Sequence, residues 1–313
     1  HLNLVEKDNL CGLPKLNDLD LLPKINWGDS IISDWDVGEV AANNRLNEFL
    51  KDGLNGYKHE RNYPRKKNVS RLSPHLHWGE ISPNTIWHKS KDYVKCKVIQ
   101  EQDIEQFLAE LGWREFSYSL LYHFPQLPNK NLQNKFDGFL WSKNYNFLHA
   151  WQEGQTGYPI VDAGMRELRQ TGYMHNRLRM IVGSFLVKNL LIDWRDGEKW
   201  FWKCLVDADL ASNSAGWQWI AGCGADAAPY FRIFNPITQG QKFDDDGTYT
   251  KKYVPELAGL PTKYLFSPWQ APQEILINAR VKLGADYPFP IVDLKQSRDK
   301  ALATFANLKK VFN

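Results

Sequence analysis

The spacing of apolar residues is the feature that most constrains the fold of this 313-residue chain. Val40, Leu46, Phe49 and Leu50 recur at three- and four-residue intervals, which is the period of an amphipathic helix. The same pattern predicts helices at about residues 39–53, 73–93, 101–122, 145–152, 160–171, 175–191, 195–206 and 296–310. Strand patterns are nearly absent, so the sequence predicts a mainly α protein.

Two regions lack this period. Residues 1–38 contain prolines and glycines among scattered apolar residues, which predicts an interdomain connecting segment ahead of a helical domain at residues 39–313. Residues 212–268 are rich in glycine, alanine, proline and aromatic residues, which predicts ordered loop with short helices. Because the chain opens on His1 rather than Met, we interpret it as a fragment of a longer protein.

Composition argues against several classes of protein. The longest apolar stretch, at residues 180–192, is too short to cross a bilayer, and the N-terminus does not resemble a secretion signal. The four cysteines form no Cys-x-x-Cys pair, which argues against a zinc site and a disulfide framework. We expect a monomeric, cytoplasmic protein without a metal.

Positive charge is local rather than general. The net charge is only +3, so a nucleic-acid surface would need clustered cations. One basic cluster exists, at Lys58, Arg61, Arg65, Lys66, Lys67 and Arg71. By itself such a run is more often a solvated loop than a phosphate site.

Tryptophan is unusually frequent, with thirteen residues in the chain. They fit a large aromatic core, but also stacking on sugars or bases, or electron transfer. Composition alone leaves these alternatives open.

One motif in the predicted helix at residues 101–122 could carry chemistry. Glu110, Trp113 and Arg114 stand at positions i, i+3 and i+4, so a carboxylate, an indole and a guanidinium share one helical face. Either they form an ion pair beside a core tryptophan, or they bond and stack on a planar heterocycle.

A second motif begins at His175, which is either a packed residue at a helix start or a catalyst. Asn176 and Met180 share a helical face, and Arg177 lies one step around it. Arg179 points in another direction, so the two arginines should have separate partners.

A third motif combines Asp207, Asp209 and Asn213 with Trp217 and Trp219 in a stretch of small residues. Small residues let a ligand approach the backbone closely. Paired carboxylates with tryptophans also suit a glycoside hydrolase, but carboxylates two residues apart rarely flank a single bond.

The segment at residues 68–74 leads into a predicted helix, with Ser73 as its N-cap and Pro74 at its first position. Its hydroxyls and backbone amides could bind phosphate. Ordinary helix starts have the same pattern, so this signal is weak alone.

In this order along the chain, the motifs resemble the photolyase and cryptochrome family, and within it the FAD-binding helical domain of class I cyclobutane pyrimidine dimer photolyases. The resemblance rests on Ser-Arg-Leu-Ser at 70–73, Trp-Arg-Glu-Phe at 113–116, Thr-Gly-Tyr-Pro-Ile-Val-Asp-Ala at 156–163, Met-His-Asn-Arg-Leu-Arg-Met at 174–180, Asp-x-Asp at 207–209 and Gly-Trp-Gln-Trp at 216–219. It continues from Asp226 to about residue 300.

The resemblance implies a U-shaped FAD and a set of residues that hold it. The pyrophosphate and ribitol side would be held by Tyr57, Ser70, Leu72 and Ser73. The other cofactor-binding residues would be Arg114, Arg179, Asp207 and Asp209. Asn213 would lie beside the flavin nitrogen that gains and loses a proton, where a neutral amide adds no charge.

The resemblance also implies a cavity for a flipped-out pyrimidine dimer in DNA. Its lining would be Glu110, Trp113, Asn176, Arg177, Met180 and Trp219. Phosphates around the lesion would bind Arg61, Arg177 and Arg232, and this binding should weaken as salt rises.

The reaction implied by the resemblance is light-driven repair of cyclobutane pyrimidine dimers. Excited reduced FAD would pass an electron to the dimer, the cyclobutane ring would open, and the electron would return. Trp217, Trp194 and Trp141 match the tryptophan chain that carries electrons to oxidised flavin. We interpret Trp200 and Trp202 as packing residues.

Two related functions compete with this interpretation. A cryptochrome-type photoreceptor is disfavoured by Asn213 and by the lack of a long variable tail after Asn313. A (6-4) photolyase is disfavoured because Met180 stands in the lesion wall instead of histidine, and the intact Trp-Gln-Trp disfavours the branch that prefers single strands.

Two departures from the family pattern bear on the prediction. Val69 stands where many relatives have threonine, so one phosphate-binding hydroxyl is lost. The N-terminal α/β domain that holds the antenna chromophore in such enzymes is expected to be absent from this chain, so the antenna stays unknown.

Overall fold

The computed structural model describes residues 14–19, 28–95, 99–227, 229–230 and 232–311. The chain divides into two compact units, His1–Asp36 and Val37–Asn313. In the first unit the described residues form a 3-10 helix at Leu16–Leu19 and a short helix, α1, at Gly28–Ile32. The rest of the predicted connecting segment lies outside the described residues.

The second unit is helical, which confirms the mainly α prediction. Its α-helices are α2 (Glu39–Glu48), α3 (Tyr57–Glu60), α4 (Ser73–His77), α5 (Pro83–Lys95), α6 (Glu101–His123), α7 (Tyr145–Gln152), α8 (Pro159–Thr171), α9 (Asn176–Ser184), α10 (Trp194–Cys204), α11 (Leu210–Ala221), α12 (Pro236–Phe243), α13 (Thr248–Tyr253), α14 (Thr262–Leu265), α15 (Gln273–Asn278) and α16 (Leu294–Val311). Turns of π-helix extend α2 at Phe49–Gly53 and α9 at Phe185–Asn189. Shorter 3-10 helices lie at Asn134–Gly138, Pro255–Leu257 and Pro268–Gln270. Among the described residues there is no strand, only one isolated bridge between Leu283 and Tyr287.

The helix predicted at residues 73–93 is divided in two. Gly79 adopts a left-handed backbone with φ 75°, which a side chain would disfavour, and α5 then starts at Pro83. The predicted N-cap is also wrong by one residue. The backbone of Leu72 is already close to helical, so Leu72 occupies the N-cap position and Ser73 is the first helical residue.

Helix α11 was not predicted individually: the sequence predicted ordered loop with short helices from residue 212, whereas α11 is a continuous helix at Leu210–Ala221. Serine, asparagine and glycine in this segment are weak helix formers. The helix forms because Asp209 caps it, accepting a hydrogen bond from the Ser212 backbone N–H at 2.7 Å, and because Trp217 and Gln218 are buried on its inner face.

Apolar side chains of the second unit form two clusters. The smaller one joins α2 to α6 and includes Leu46, Phe49 and Phe107. The larger one is built from α7 to α16 and includes Trp151 and Trp194. Helix α6 packs against α3 and α5 in the smaller cluster and against α11 of the larger one, so the face between α6 and α11 is where the clusters meet.

The contact between α10 and α11 depends on a glycine. A Cβ added at Gly197 would lie 2.2 Å from Cη2 of Trp217, and overpacking of this kind costs about 2 kcal/mol. We expect Gly197→Ala to lower the free energy of unfolding by that amount in urea denaturation. Gly112→Ala is the control, because a Cβ there meets nothing within 4 Å. Equal loss in both variants would contradict this packing.

Candidate active site

Two adjoining cavities lie where the two clusters meet. The loop cavity, of about 350 Å³, is bounded by residues 69–73. The tryptophan cavity, of about 500 Å³, is bounded by Trp113, Trp217 and Trp219. Both cavities are lined by Arg61, Glu110, Trp113, Ser117, Asn176, Arg179, Asp207, Asp209 and Ser212. A shared wall of this extent lets one elongated ligand occupy both.

Most residues singled out in the sequence meet at these cavities. The loop cavity is lined by Tyr57, Ser70, Leu72, Ser73, Arg114, Arg179, Asp207 and Asp209. The tryptophan cavity is lined by Glu110, Trp113, Asn176, Met180, Asn213, Trp217 and Trp219. The spacing of the first two motifs therefore predicted shared faces correctly, while the roles of the individual residues stay predictions.

The position of Tyr57 at the loop cavity depends on a buried carboxylate that sequence reasoning missed. Asp103 is 1% exposed and accepts hydrogen bonds of 2.8 Å from the backbone N–H groups of Gly56 and Lys58. These bonds fix the start of α3 and the ring of Tyr57 behind Arg61, whose guanidinium lies 5.2 Å from that ring. The sequence signal for Asp103 was that an acidic residue lies on the apolar face of the long helix α6.

The wall formed by residues 69–73 is strained. Arg71 has φ 51°, in the left-handed region that non-glycine residues rarely adopt. Its guanidinium lies 4.8 Å from the ring of Tyr173. Strain of this kind costs about 1 kcal/mol or more and collects at ligand sites. Ser70 and Leu72, on either side of Arg71, both line the loop cavity.

Glu110 is held by two donors where the cavities join. Arg61 forms an ion pair with its Oε1, and Gln106 donates to the same oxygen at 2.9 Å. Burial lowers the pKa of Arg61, but its hydrogen bond to Glu110 and the charges of Tyr57 and Glu110 together more than offset that effect, so the pKa is raised. Both donors bond to Oε1, so the carboxylate is fixed while no described residue donates a hydrogen bond to its Oε2.

The three arginines predicted to bind DNA are near one another. Burial lowers the pKa of Arg177, and the positive charges of Arg61 and Arg232 lower it further. The guanidinium of Arg177 donates to Asn62 and lies 4.4 Å from the ring of Phe243. Three like charges held together favour a bound anion.

Arg179 and Asp207 form an ion pair between the cavities, in which the carboxylate is buried and the guanidinium is partly buried. Nη2 of Arg179 donates to both carboxylate oxygens, at 3.1 and 2.8 Å, and its Nε donates to the Met174 carbonyl at 2.8 Å. Burial alone would lower the pKa of Arg179, but Asp207 raises it above its usual value. The prediction that Arg177 and Arg179 have separate partners is confirmed.

His175 is a packed residue at a helix start. It is 2% exposed, and its Nδ1 accepts a hydrogen bond from the Arg177 backbone N–H at 3.1 Å as the N-cap of α9. Burial, followed by the charges of Arg177 and Arg179, lowers its pKa to about 3. A neutral imidazole that caps a helix is not available for acid catalysis at neutral pH.

Asn213 is oriented by the backbone of α10. Its Nδ2 donates to the Glu198 carbonyl at 3.0 Å. Because a carbonyl only accepts, this bond identifies the nitrogen end of the amide and leaves Oδ1 as an acceptor at the tryptophan cavity. The neighbouring Ser214 hydroxyl donates to the Glu198 carboxylate, which fixes the same two helices.

The three tryptophans predicted to carry electrons extend away from the tryptophan cavity. Trp217 lines the cavity and its ring rests on Gly197, one turn along α10 from Trp194. Trp194 is fully buried. Trp141 is half-buried and lines a further cavity of about 400 Å³ together with Asp193, the residue before Trp194. Their order in an electron-transfer chain, which the family resemblance implies, stays a prediction.

The basic cluster of the sequence is divided by the fold. Arg65 forms ion pairs with Asp245 and Asp246, and Lys66 pairs with Glu60. Only Arg61 lies at the tryptophan cavity. The cluster is therefore divided between carboxylate partners, at Arg65 and Lys66, and the tryptophan cavity, at Arg61.

The cavities fit a flavin dinucleotide. Their volumes lie in the range of cofactor sites, with hydroxyls of Ser70 and Ser73 at one end and the amide of Asn213 at the other. Among the described residues no acceptor bonds to the buried Nε1 of Trp217. Buried donors without partners are rare, so a polar group in the tryptophan cavity would complete this site.

Two features are absent from the part of the chain that the structure describes. No group of three metal-binding side chains occurs there, and no helix there is long and apolar enough to span a bilayer. Cys204 and Cys223 are free thiols, while Cys11 and Cys96 lie outside the described residues.

Comparison with known proteins identifies the family. Residues 107–307 match the FAD binding domain of DNA photolyase. A deoxyribodipyrimidine photo-lyase of Agrobacterium fabrum is 53% identical over 297 residues, which cover 95% of this chain and 62% of that protein. The crystal structure of a class III photolyase from Agrobacterium tumefaciens is 53% identical with a TM-score of 0.91, and the match covers 95% of this chain and 61% of that one.

A second solved structure shows how far the similarity extends. The cryptochrome of Synechocystis sp. PCC6803 is 36% identical with a TM-score of 0.84, and the match covers 91% of this chain and 59% of that one. The chain thus spans between 59% and 62% of the length of these relatives. By its helical fold and the match over residues 107–307, the chain belongs to the photolyase and cryptochrome family, as part of which it carries the FAD binding domain of DNA photolyase.

Proposed function

We propose that this chain binds FAD and carries out light-driven repair of cyclobutane pyrimidine dimers in DNA. The observation that supports this best is the shared wall between a cavity suited to a dinucleotide cofactor and a cavity lined by three tryptophans. A lesion in the tryptophan cavity would then lie directly beside the cofactor. Electron transfer from one to the other needs only this proximity.

Residues of the loop cavity would bind and orient the cofactor. The Ser70 and Ser73 hydroxyls would donate to the pyrophosphate, while Arg179 and Asp207 would stand beside the ring system. Oδ1 of Asn213 would accept a hydrogen bond from a protonated nitrogen of the flavin ring. Oδ1 is the atom available for this bond, because Nδ2 already donates to the Glu198 carbonyl. Bound FAD would supply the absorption of light and the electron that opens the cyclobutane ring.

Residues of the tryptophan cavity would hold the lesion. Trp113 and Trp219 offer indole faces for stacking on the two pyrimidines. Glu110, fixed by Arg61 and Gln106, would accept hydrogen bonds from their polar edges, and Asn176 would bond to the same edges. Met180 would supply an apolar wall without a titratable group.

Arg61, Arg177 and Arg232 would bind the phosphates on either side of the flipped-out dimer. The mutual repulsion that lowers the pKa of Arg177 is relieved when an anion binds among them. Binding through phosphates weakens with salt, by about one order of magnitude in affinity for each contact over a tenfold rise in salt concentration.

Trp217 would relay electrons to the flavin rather than take part in repair. We expect Trp217→Phe to slow photoreduction of bound FAD at least tenfold, because phenylalanine is much harder to oxidise, and to leave repair by chemically pre-reduced protein unchanged. Flavin absorbance under illumination and dimer loss measure the two effects. Trp200→Phe, at a half-buried residue that lines neither cavity, is the control. Loss of repair in the pre-reduced Trp217→Phe variant would contradict a pure relay role.

A cryptochrome-type photoreceptor is the second candidate, because the Synechocystis relative is a cryptochrome. The neutral amide of Asn213 favours repair over this alternative. The assignment to class I stays a prediction. The relative from Agrobacterium tumefaciens is a class III photolyase. The antenna chromophore is likewise left open.

The first test of the proposal is cofactor binding by the purified chain. We expect about one FAD per chain, with an absorption spectrum typical of a protein-bound flavin. We also expect an oligonucleotide that contains a thymine dimer to bind more tightly than the same sequence without the lesion. Equal affinity for the two oligonucleotides would support the photoreceptor instead.

A further inference from the structure

A tyrosine outside both cavities connects the two helices that carry the site. Tyr118 lies on α6, one turn beyond Arg114, and lines neither cavity. Its hydroxyl donates to Oδ2 of Asp209 at 2.5 Å, across 91 positions of sequence. Arg114 donates to the same hydroxyl at 3.2 Å, and its guanidinium lies 4.6 Å from the tyrosine ring.

Asp209 has two tasks that depend on this bond. Its Oδ1 caps α11 by accepting from the Ser212 backbone N–H at 2.7 Å, and its carboxylate lines both cavities. Ser212 thus fixes Oδ1 and Tyr118 fixes Oδ2. Helix α11 carries Asn213, Trp217 and Trp219, which line the tryptophan cavity. The position of the Asp209 carboxylate at the start of α11 therefore affects where these side chains lie relative to a bound ligand.

We propose that Tyr118 is a positioning residue for the flavin, which acts by holding Asp209 and the N-terminus of α11 against α6. The inference rests on the proposed function, because it assumes that FAD occupies the joined cavities. Because Tyr118 lines neither cavity, it would touch neither the cofactor nor the lesion. Its hydroxyl fixes the one carboxylate that belongs to the cap of α11 and to both cavity walls.

The charge state of Asp209 provides a readout that simple packing would not change. Burial would raise the pKa of Asp209, but the hydrogen bonds from Tyr118 and Ser212 hold it below its usual value. His77 on α4, with Nδ1 at 3.7 Å, and Arg114 on α6 also face this region. A depressed pKa means that the cap is intact at neutral pH and is lost as the pH falls through that pKa.

Removal of the hydroxyl should therefore move cofactor release to a higher pH. In Tyr118→Phe the ring that Arg114 contacts is kept and only the donor is lost. Hydrogen bonds to charged groups are strong enough that we expect FAD affinity at neutral pH to fall about tenfold. The pH midpoint of FAD release should rise by about one unit.

The experiment uses the FAD-loaded protein and follows flavin fluorescence as the pH is lowered. Tyr122→Phe is the matched control, because Tyr122 lies one turn further along α6 and is 81% exposed. Melting temperatures of the flavin-free forms are measured in parallel. We expect a raised release midpoint in Tyr118→Phe and an unchanged midpoint in Tyr122→Phe.

Three results would count against the proposal, and they differ from one another. If Tyr118→Phe releases FAD at the wild-type pH, the positioning role is wrong. If Tyr118→Phe lowers the melting temperature but leaves the release midpoint unchanged, Tyr118 serves stability alone. If the wild-type chain retains no FAD, the proposed function fails and this inference fails with it.

Discussion

An Asp207→Asn variant is expected to lose bound FAD and to lower the free energy of unfolding by about 3 kcal/mol. The Asp207 side chain is only 3% exposed and pairs with Arg179, whose side chain is 26% exposed. Removal of the carboxylate leaves the guanidinium of Arg179 without its counter-charge in a largely buried position, where water replaces only part of the lost bonding. Arg179 lines both cavities. Without Asp207 its guanidinium would no longer be held in place beside the flavin ring.

Urea unfolding and flavin retention after gel filtration measure these two effects. Asp245→Asn is the matched control, because it also removes an aspartate from an arginine but at a carboxylate that is 59% exposed. An exposed pair contributes about 0 to 1 kcal/mol, and Arg65 keeps Asp246 as a partner. A similar loss of stability in the two variants would show that burial of the Arg179 pair does not matter.

A Trp113→Ala variant is expected to weaken binding of dimer-containing DNA by about 10- to 100-fold, since stacking of a base on an aromatic ring contributes about 1 to 3 kcal/mol. Trp113 lines both cavities yet is 51% exposed. An indole so open to solvent contributes little to the core, so we expect stability to change by less than about 1 kcal/mol.

Fluorescence anisotropy with a dimer-containing duplex measures the affinity. Trp202→Ala is the control, because Trp202 is 50% exposed and lines neither of the two cavities. The prediction would fail if both alanine variants bound the duplex equally well, or if Trp113→Ala bound undamaged and damaged duplexes with equally reduced affinity.

Sequence periodicity predicted the long helices because burial of one helical face is a local property. Helix α7 agrees with its predicted bounds, and α6 extends only one residue further. Helix α11 was not predicted individually because residues on other helices stabilise it. The Tyr118 hydroxyl on α6 donates to its capping residue Asp209, and Trp217 packs on Gly197 of α10. Residue propensity carries no information on contacts of that range.

The site could be predicted where one helix presents several of its groups. Glu110 with Trp113, and Asn176 with Met180, were placed on common faces from spacing alone, and they do line one cavity. Residues that act across helices were not predicted. Asp103 reaches α3 across 45 or more positions, and no local pattern indicates such a partner.

The most direct test of the central proposal is light-dependent dimer loss by the pre-reduced chain. A thymine-dimer oligonucleotide is mixed with FAD-loaded protein reduced with dithionite, and intact thymines are quantified by chromatography after blue light or darkness. We predict that thymines are restored only in the illuminated sample and over many turnovers per chain. Tight FAD binding with no restored thymines in the light would contradict repair and favour a photoreceptor.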